Sequence, residues 1–318
     1  MILKKPKFWD YKKPNLISLL LLPLTIAVLL NNFLIRFFNK HKSKKVKSIC
    51  IGNIYLGGTG KTPSTIKLYQ ILKSLGYKVC VGKKFYNSQK DEQIILKEKT
   101  NLITYNSRKK IIKKSIENDN DIIIFDDGLQ DKWIDYDLKF VCFDAKSWIG
   151  NGFLIPAGPL REKITSLKKY DGIFFKHFED IKNKDKEKIL NQIKKINPSI
   201  KIFNSEYFPL NLKDFDLSKK YLILSAIGNS ESFKHLLIQN NFNIVHEITY
   251  PDHHDYTQED LNIIIKQSKN LGTEIITTEK DFTKISQLNH SNINFLKIDL
   301  KINDEDVLIN FLKGMIHE

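Results

Sequence analysis

The stretch Cys50-Ile-Gly-Asn-Ile-Tyr-Leu-Gly-Gly-Thr-Gly-Lys-Thr-Pro63 decides how this chain is read. An apolar, strand-like run passes into a glycine-rich turn, and a helix is expected from about Lys61 to Leu75. Gly57, Gly58 and Gly60, with Thr59 between them, let the backbone turn its N–H groups onto a phosphate chain. Lys61 then reaches the outer phosphates and the Thr62 hydroxyl is a candidate Mg²⁺ ligand. Pro63 closes the motif. The positive end of the helix adds to the same site. Together these residues form a phosphate-binding loop with one departure, Tyr55 where the strict pattern has glycine. The alternative is a glycine-rich strand-to-helix turn that binds nothing.

A chain of 318 residues is long enough for two domains. The formal net charge is +15, and ten of those charges lie in residues 1–47, which hold eleven Lys/Arg and one acid, Asp10. The remaining 271 residues carry only +5, so the chain has a basic N-terminal segment and no basic domain, which argues against nucleic acid as a partner. Cys50, Cys80 and Cys142 sit in apolar runs without metal-binding spacing and are expected to be reduced core residues. No obligate protein partner is evident.

Between the N-terminal lysines lies 16–38, whose one charge is Arg36. It lacks the position and cleavage site of a signal peptide. It is about long enough to span a bilayer. However, the flanking lysines on both sides oppose a single span, and Pro23 and Asn31-Asn32 interrupt a clean helix. The expectation is a segment in the cytoplasmic interface, or a re-entrant hairpin, held by anionic lipid. The alternative is an ordinary buried helical hairpin.

Beyond this segment, strands and helices alternate. Strands are expected at 48–53, 78–82, 101–105, 121–126, 138–144 and 172–176, with helices at 61–75, 108–117 and 181–196. Continuous apolar strands in this order imply a mostly parallel sheet covered on both faces. Residues 199–210 read as an extended connector. A second alternation, from a strand at 221–226 to a helix at 305–315, implies a smaller α/β domain. The expected division is 1–45 for the membrane-associated segment, 46–205 for the core domain and 206–318 for the smaller domain.

Asp126 and Asp127 end a hydrophobic strand, where a phosphate-loop protein commonly holds its Mg²⁺. Arg161-Glu162 closes a turn-rich segment, and Arg161 is placed to neutralise a transferring phosphoryl group. His253 and His254 lie in a short polar loop suited to proton transfer. Adjacent side chains diverge, so one of the two is expected to act. Asp91-Glu92, in isolation, reads as a solvated loop.

As a set, these motifs resemble the tetraacyldisaccharide 4′-kinase (LpxK) family. They are Gly-Asn-x4-Gly-Gly-Thr-Gly-Lys-Thr-Pro at 52–63, Asp-Asp-Gly-Leu-Gln at 126–130, Gly-x-Leu-Ile-Pro-Ala-Gly-Pro-Leu-Arg-Glu at 152–162, Pro-Asp-His-His-x-Tyr-Thr at 251–257 and Thr-Thr-Glu-Lys-Asp at 277–281. The resemblance covers nearly the whole chain. It implies a P-loop α/β fold and ATP-dependent phosphorylation of the 4′-hydroxyl of an acylated disaccharide lipid A precursor at the inner membrane. It also implies roles by position: Lys61 and Thr62 for phosphate and magnesium, Asp126 and Asp127 as the acidic pair, and Gln130, Glu162, Arg161 and Arg108 as polar site residues. Asp91 and His253 would be the pair that handles the sugar hydroxyl proton, contributed by different domains and completed by closure. Three positions depart from the family pattern: Gly82-Lys-Lys-Phe-Tyr86 for Ser-Arg-Gly-Tyr, Lys90 for glycine before Asp91, and Asp131 for histidine. A rival class, the membrane-associated partitioning ATPase, places a signature lysine before the glycine pair, where this chain has Leu56.

Overall fold

The computed structural model describes residues 6–34, 41–43, 45–86, 89–131, 133–252, 254–290 and 292–317. In chain order the elements are α1 (Leu16–Leu20), α2 (Thr25–Leu34), β1 (Lys47–Gly52), α3 (Lys61–Ser74), β2 (Val79–Lys84), α4 (Lys90–Lys99), β3 (Leu102–Tyr105), α5 (Arg108–Glu117), β4 (Ile122–Asp126), β5 (Leu138–Asp144), β6 (Gly172–Lys176), α6 (Asn183–Ile196) and β7 (Lys201–Pro209). They continue with β8 (Lys220–Ser225), α7 (Ser230–Gln239), β9 (Asn243–Thr249), α8 (Gln258–Leu271), β10 (Glu274–Thr278), α9 (Glu279–Ile285), β11 (Ile293–Leu296), β12 (Ile298–Ile302) and α10 (Glu305–His317). The chain forms two compact units. The phosphate-loop unit comprises Lys5–Phe85, Lys99–Glu206 and Ile302–Glu318, and the second comprises Tyr86–Glu98 and Tyr207–Lys301.

In the phosphate-loop unit the strands run in the order β7-β6-β5-β1-β4-β2-β3, and every neighbouring pair is parallel. Successive residues of a strand feed opposite faces. Val141, Phe143, Ile173 and Phe175 pack with Ile189 and Ile193 of α6. Further along the same face, Cys50, Cys80, Ile123 and Phe125 pack with Ile111 and Ile112 of α5. The three cysteines are buried and free, and burial pushes the Cys80 thiol up to about 11. β2, β3 and β4 lie on one side of β1, and β5, β6 and β7 lie on the other. The carboxyl ends of β1 and β5 thus form the switch point at which open parallel sheets bind ligands.

The second unit has four parallel strands, β11-β10-β8-β9. Leu222, Leu224 and Ile275 pack on Leu261 and Ile264 of α8, while Tyr221, Ile223 and Ile276 pack on Phe233, Leu236 and Leu237 of α7.

Several sequence expectations change. The connector at 199–210 is strand β7 at 201–209, because its alternating Phe203 and Ser205 are buried beside β6. The loop carrying Asp91 is the first turn of α4, and Asp91 is 2% exposed. The smaller unit also takes α4, so Asp91 and the 251–257 loop share one unit instead of meeting by domain closure. Residues 302–318 belong with the phosphate-loop unit, where Phe311 packs edge-on against Phe140.

Among the described residues no helix is long and apolar enough to cross a membrane. Within 16–34, Ser18 and Asn32 turn their polar groups to the protein. Ser18 is buried and accepts from Asn151 Nδ2 at 2.9 Å, and Asn32 Nδ2 donates to the Arg161 carbonyl at 3.0 Å. Val28 and Leu29 pack on Tyr55 and Leu160. Outward stand Leu16, Ile17, Leu20, Leu24, Ile26, Leu30 and Phe33, each more than half exposed. Just upstream, Trp9 is buried and donates to the Pro156 carbonyl at 3.0 Å. Arg36 and Lys40, with 35–38 of the apolar stretch, lie outside the described residues.

Candidate active site

The phosphate loop is held from below by Asn53, whose Nδ2 donates to the Gly57 carbonyl at 3.3 Å and to Thr59 Oγ1 at 3.0 Å. Gly60 takes φ +87° as the N-cap of α3, a conformation that side chains with a Cβ rarely adopt. Pro63 falls in the first helical turn, where its missing N–H has no intrahelical acceptor to lose. The 152–162 segment lies alongside: Leu56 N–H donates to the Pro159 carbonyl at 2.8 Å and Arg161 N–H to the Ile54 carbonyl at 2.7 Å.

The two adjacent carboxylates serve different partners. Asp126 ends β4 and receives Thr62 Oγ1 at 3.3 Å, Thr65 Oγ1 at 3.2 Å and the Lys83 ammonium at 2.5 Å. Asp127 then enters the left-handed region at φ +58°, fixed by its N–H to the Ile51 carbonyl at 2.8 Å and by Arg108 donating to its own carbonyl. That turn redirects its side chain to Arg161 at 3.4 Å and Lys61 at 3.9 Å. Gly128 follows because a Cβ there would lie 2.5 Å from the Tyr136 hydroxyl. Burial alone would raise the Asp127 carboxyl, but the charges of Lys61, Arg161, Lys83 and Arg108 outweigh it and hold it below the usual carboxylate range.

Arg161 is kept in place by Gln130, whose Oε1 accepts from it at 3.4 Å. Gln130 Nε2 donates to the Asn53 carbonyl at 2.8 Å and to Glu162 Oε1 at 3.1 Å, and Tyr170 donates to that same oxygen at 3.1 Å. Arg108 is committed to Asp131 at 2.8 Å, so the residue that departs from the family pattern has become its counter-ion. The structure thus brings Lys61, Thr62, Asp126, Asp127, Gln130, Arg161, Glu162 and Arg108 around the loop.

Sequence reasoning missed two groups here. Lys83 stood out only as a departure, yet its ammonium is buried on Asp126. Lys176, at the carboxyl end of β6, binds Asp144 of β5 at 3.3 Å and donates to the Gly58 carbonyl at 3.2 Å, while His177 Nδ1 lies 3.1 Å from Asp144. Burial opposes the Asp144 charge, but Lys176 and His177 prevail and hold its carboxyl at about 2. The available signal was a charged residue ending an otherwise apolar buried strand, the pattern that marked Asp126.

In the second unit Asp91 receives Lys284 at 3.2 Å and Lys280 at 3.6 Å. His254 is tied to the start of α8: its Nε2 lies 3.1 Å from Asp260, a member of the capping box with Thr257, and its ring stacks on Tyr250 with centroids 4.3 Å apart. His253 lies outside the described residues.

Comparison with known proteins matches residues 16–317 to the family Tetraacyldisaccharide-1-P 4′-kinase (LpxK). A tetraacyldisaccharide 4′-kinase of Pelagibacter ubique is 44% identical over 312 residues, covering 98% of each chain. One from Rickettsia akari is 34% identical over 321 residues, covering 95% of this chain and 94% of its own. Among solved structures, LpxK from Aquifex aeolicus, determined in complex with ATP, covers 95% of this chain and 100% of its own at 20% identity with a TM-score of 0.67, a likeness of fold.

Proposed function

The chain belongs to the LpxK family of tetraacyldisaccharide-1-P 4′-kinases, and from that premise we propose that it transfers the γ-phosphoryl group of ATP to the 4′-hydroxyl of a tetraacyl disaccharide 1-phosphate, a step of lipid A synthesis. The observation that carries this reading is the division of labour at the end of β4. Asp126 takes the Thr62 and Thr65 hydroxyls and the buried Lys83 ammonium, while Asp127 takes Lys61 and Arg161, around a loop built to receive phosphates.

Gly57, Gly58 and Gly60 offer backbone N–H groups to the phosphate chain, Thr59 N–H donates to the Gly57 carbonyl at 3.0 Å within the loop, and the start of α3 adds its dipole. Thr62 and Asp126 would hold Mg²⁺, with Asp127 beside them. A carboxylate and a hydroxyl 3.3 Å apart are hard oxygen donors of the kind that cation takes. When bound, Mg²⁺ supplies charge neutralisation at the phosphates. Lys61 and Arg161, both held by Asp127, meet the negative charge that develops on the transferring group. Gln130 and Glu162 keep the Arg161 side chain oriented. The acceptor is a neutral alcohol whose proton must leave. Asp91, with the His253 imidazole, takes that proton, the carboxylate orienting the ring and stabilising its charged form.

The acceptor's acyl chains belong in a bilayer. The outward leucines of α1 and α2, with the basic residues around them, support peripheral attachment at the cytoplasmic face of the inner membrane through anionic lipid. Incubation of the full chain with γ-labelled ATP, Mg²⁺ and tetraacyl disaccharide 1-phosphate in mixed micelles tests the proposal. The expected product carries label at the 4′ position. Hydrolysis of ATP without transfer to the lipid, or label at another hydroxyl, would overturn it.

A further inference from the structure

The Thr-Thr-Glu-Lys-Asp run at 277–281 has no role in the mechanism above, and its surroundings give it one. Thr278 caps α9: its Oγ1 accepts from Asp281 N–H at 3.1 Å and donates to Asp281 Oδ2 at 2.7 Å. Asp281 is fully buried and also accepts from Ala226 N–H at 3.0 Å. The turn from β10 into α9 is therefore rigid. It points Lys280 and Lys284, one helical turn apart, in the same direction.

Both ammoniums bind Asp91, and each also binds a residue beside position 253. Lys280 lies 3.6 Å from Asp91, 3.7 Å from Glu92 and 3.1 Å from Asp252. Lys284 lies 3.2 Å from Asp91 and donates to the His254 carbonyl at 2.9 Å. Burial works against the Lys280 charge, but Asp252, Glu92 and Asp91 outweigh it and keep the ammonium protonated. Three carboxylates gathered at one place repel one another, and each holds its proton more tightly, unless a fixed cation stands among them. Lys280 is that cation.

We propose that Lys280 and Lys284 are positioning residues for phosphoryl transfer, clamping the loop on both sides of position 253 to Asp91. The inference rests on the reading of Asp91 and His253 as the pair that takes the hydroxyl proton. Among the described residues, the charged groups facing Lys280 are Asp91 and Glu92 from α4 and Asp252 from the loop, with Lys284 one turn further along α9.

The test is kcat and KM for ATP across pH in the full chain for Lys280→Met, Lys280→Arg, Asp91→Asn and the double variant Asp91→Asn/Lys280→Met. Lys280→Met is expected to lower kcat about 10- to 100-fold with KM for ATP unchanged. Its acidic limb should move up by about one pH unit, because the proton-accepting pair loses a neighbouring cation. Lys280→Arg should return the limb to its wild-type place. In the Asp91→Asn background, Lys280→Met should cost less than about threefold, because the lysine acts through Asp91. Should Lys280→Met fail to fold, Lys280→Arg decides: an unmoved limb with lowered kcat supports the clamp, and a displaced limb overturns it. If Asp91→Asn turns over like the wild type, the reading of Asp91 falls. If Asp91→Asn is slow while Lys280→Met keeps the wild-type rate and limb, or loses rate only through a raised KM for ATP, the clamp alone falls.

Discussion

Replacing Lys83 with methionine tests the most buried ammonium among the described residues of the phosphate-loop unit. The Lys83 and Asp126 side chains are 2% and 0% exposed and meet at 2.5 Å. Methionine keeps most of the volume and the packing of the stem, so the change is chiefly the loss of a cation. Breaking one partner of a buried pair typically costs about 3–5 kcal/mol, because the other charge is left in a site it cannot leave. The Thr62 and Thr65 hydroxyls at 3.3 and 3.2 Å offset part of that, so a loss of about 3 kcal/mol is expected. In a unit of this size that lowers Tm by roughly 6–10 °C. All three tryptophans, Trp9, Trp133 and Trp148, lie in the phosphate-loop unit, so their fluorescence follows this unit in the intact chain. Adding Asp126→Asn should recover about 2 kcal/mol of the loss, since a neutral amide needs no counter-ion. A Lys83→Met protein melting within about 2 °C of the wild type, or a double variant whose losses simply add, would refute the reasoning.

Other expectations follow from the same geometry. Lys61→Ala should cut kcat by about 100-fold or more, with little change in the melting curve. The Lys61 side chain is only 14% exposed and leans on Asp127, not open to solvent as a phosphate-loop lysine in isolation would be, yet that ion pair is long at 3.9 Å; wild-type turnover in this variant would move the nucleotide site elsewhere. Replacing Leu16, Leu20, Leu24 and Leu30 with serine should weaken binding to anionic vesicles about 100- to 1000-fold, because each exposed leucine brings about 1 kcal/mol or more of transfer energy; co-sedimentation measures it, and undiminished binding would exclude this face as the lipid contact. Asp144, held at about 2 against an ordinary 3.8, contributes about 2 kcal/mol that is complete above pH 4 and is lost as pH falls towards 2. The stability gap between wild type and Asp144→Asn, from urea unfolding, should therefore shrink by about 1 kcal/mol between pH 5 and pH 3, and a constant gap would contradict the Lys176–Asp144 pairing.

The phosphate loop, the acidic pair at 126–127 and the parallel sheet were legible in the sequence because each depends on local pattern. Glycines at 57, 58 and 60 relieve a backbone constraint, and apolar runs ending in a charge mark buried strands at their carboxyl ends. The family's motifs also placed Gln130, Arg161 and Glu162 near the loop, where a hydrogen-bonded chain links them. What the sequence could not give was the company kept by residues far apart along the chain. Lys83 reaches Asp126 across neighbouring strands, Lys176 reaches the phosphate loop from two strands away, and Asp131 neutralises Arg108. Residues 86–98 leave one unit to complete the other, because Asp91 and Glu92 find their cations on α9. Likewise, the apolar pattern of 16–34 announced a hydrophobic segment. Only the tertiary structure decided which face is satisfied by Asn151 and the Arg161 carbonyl and which leucines are left for another surface, since a helix's own sequence does not say what lies opposite it.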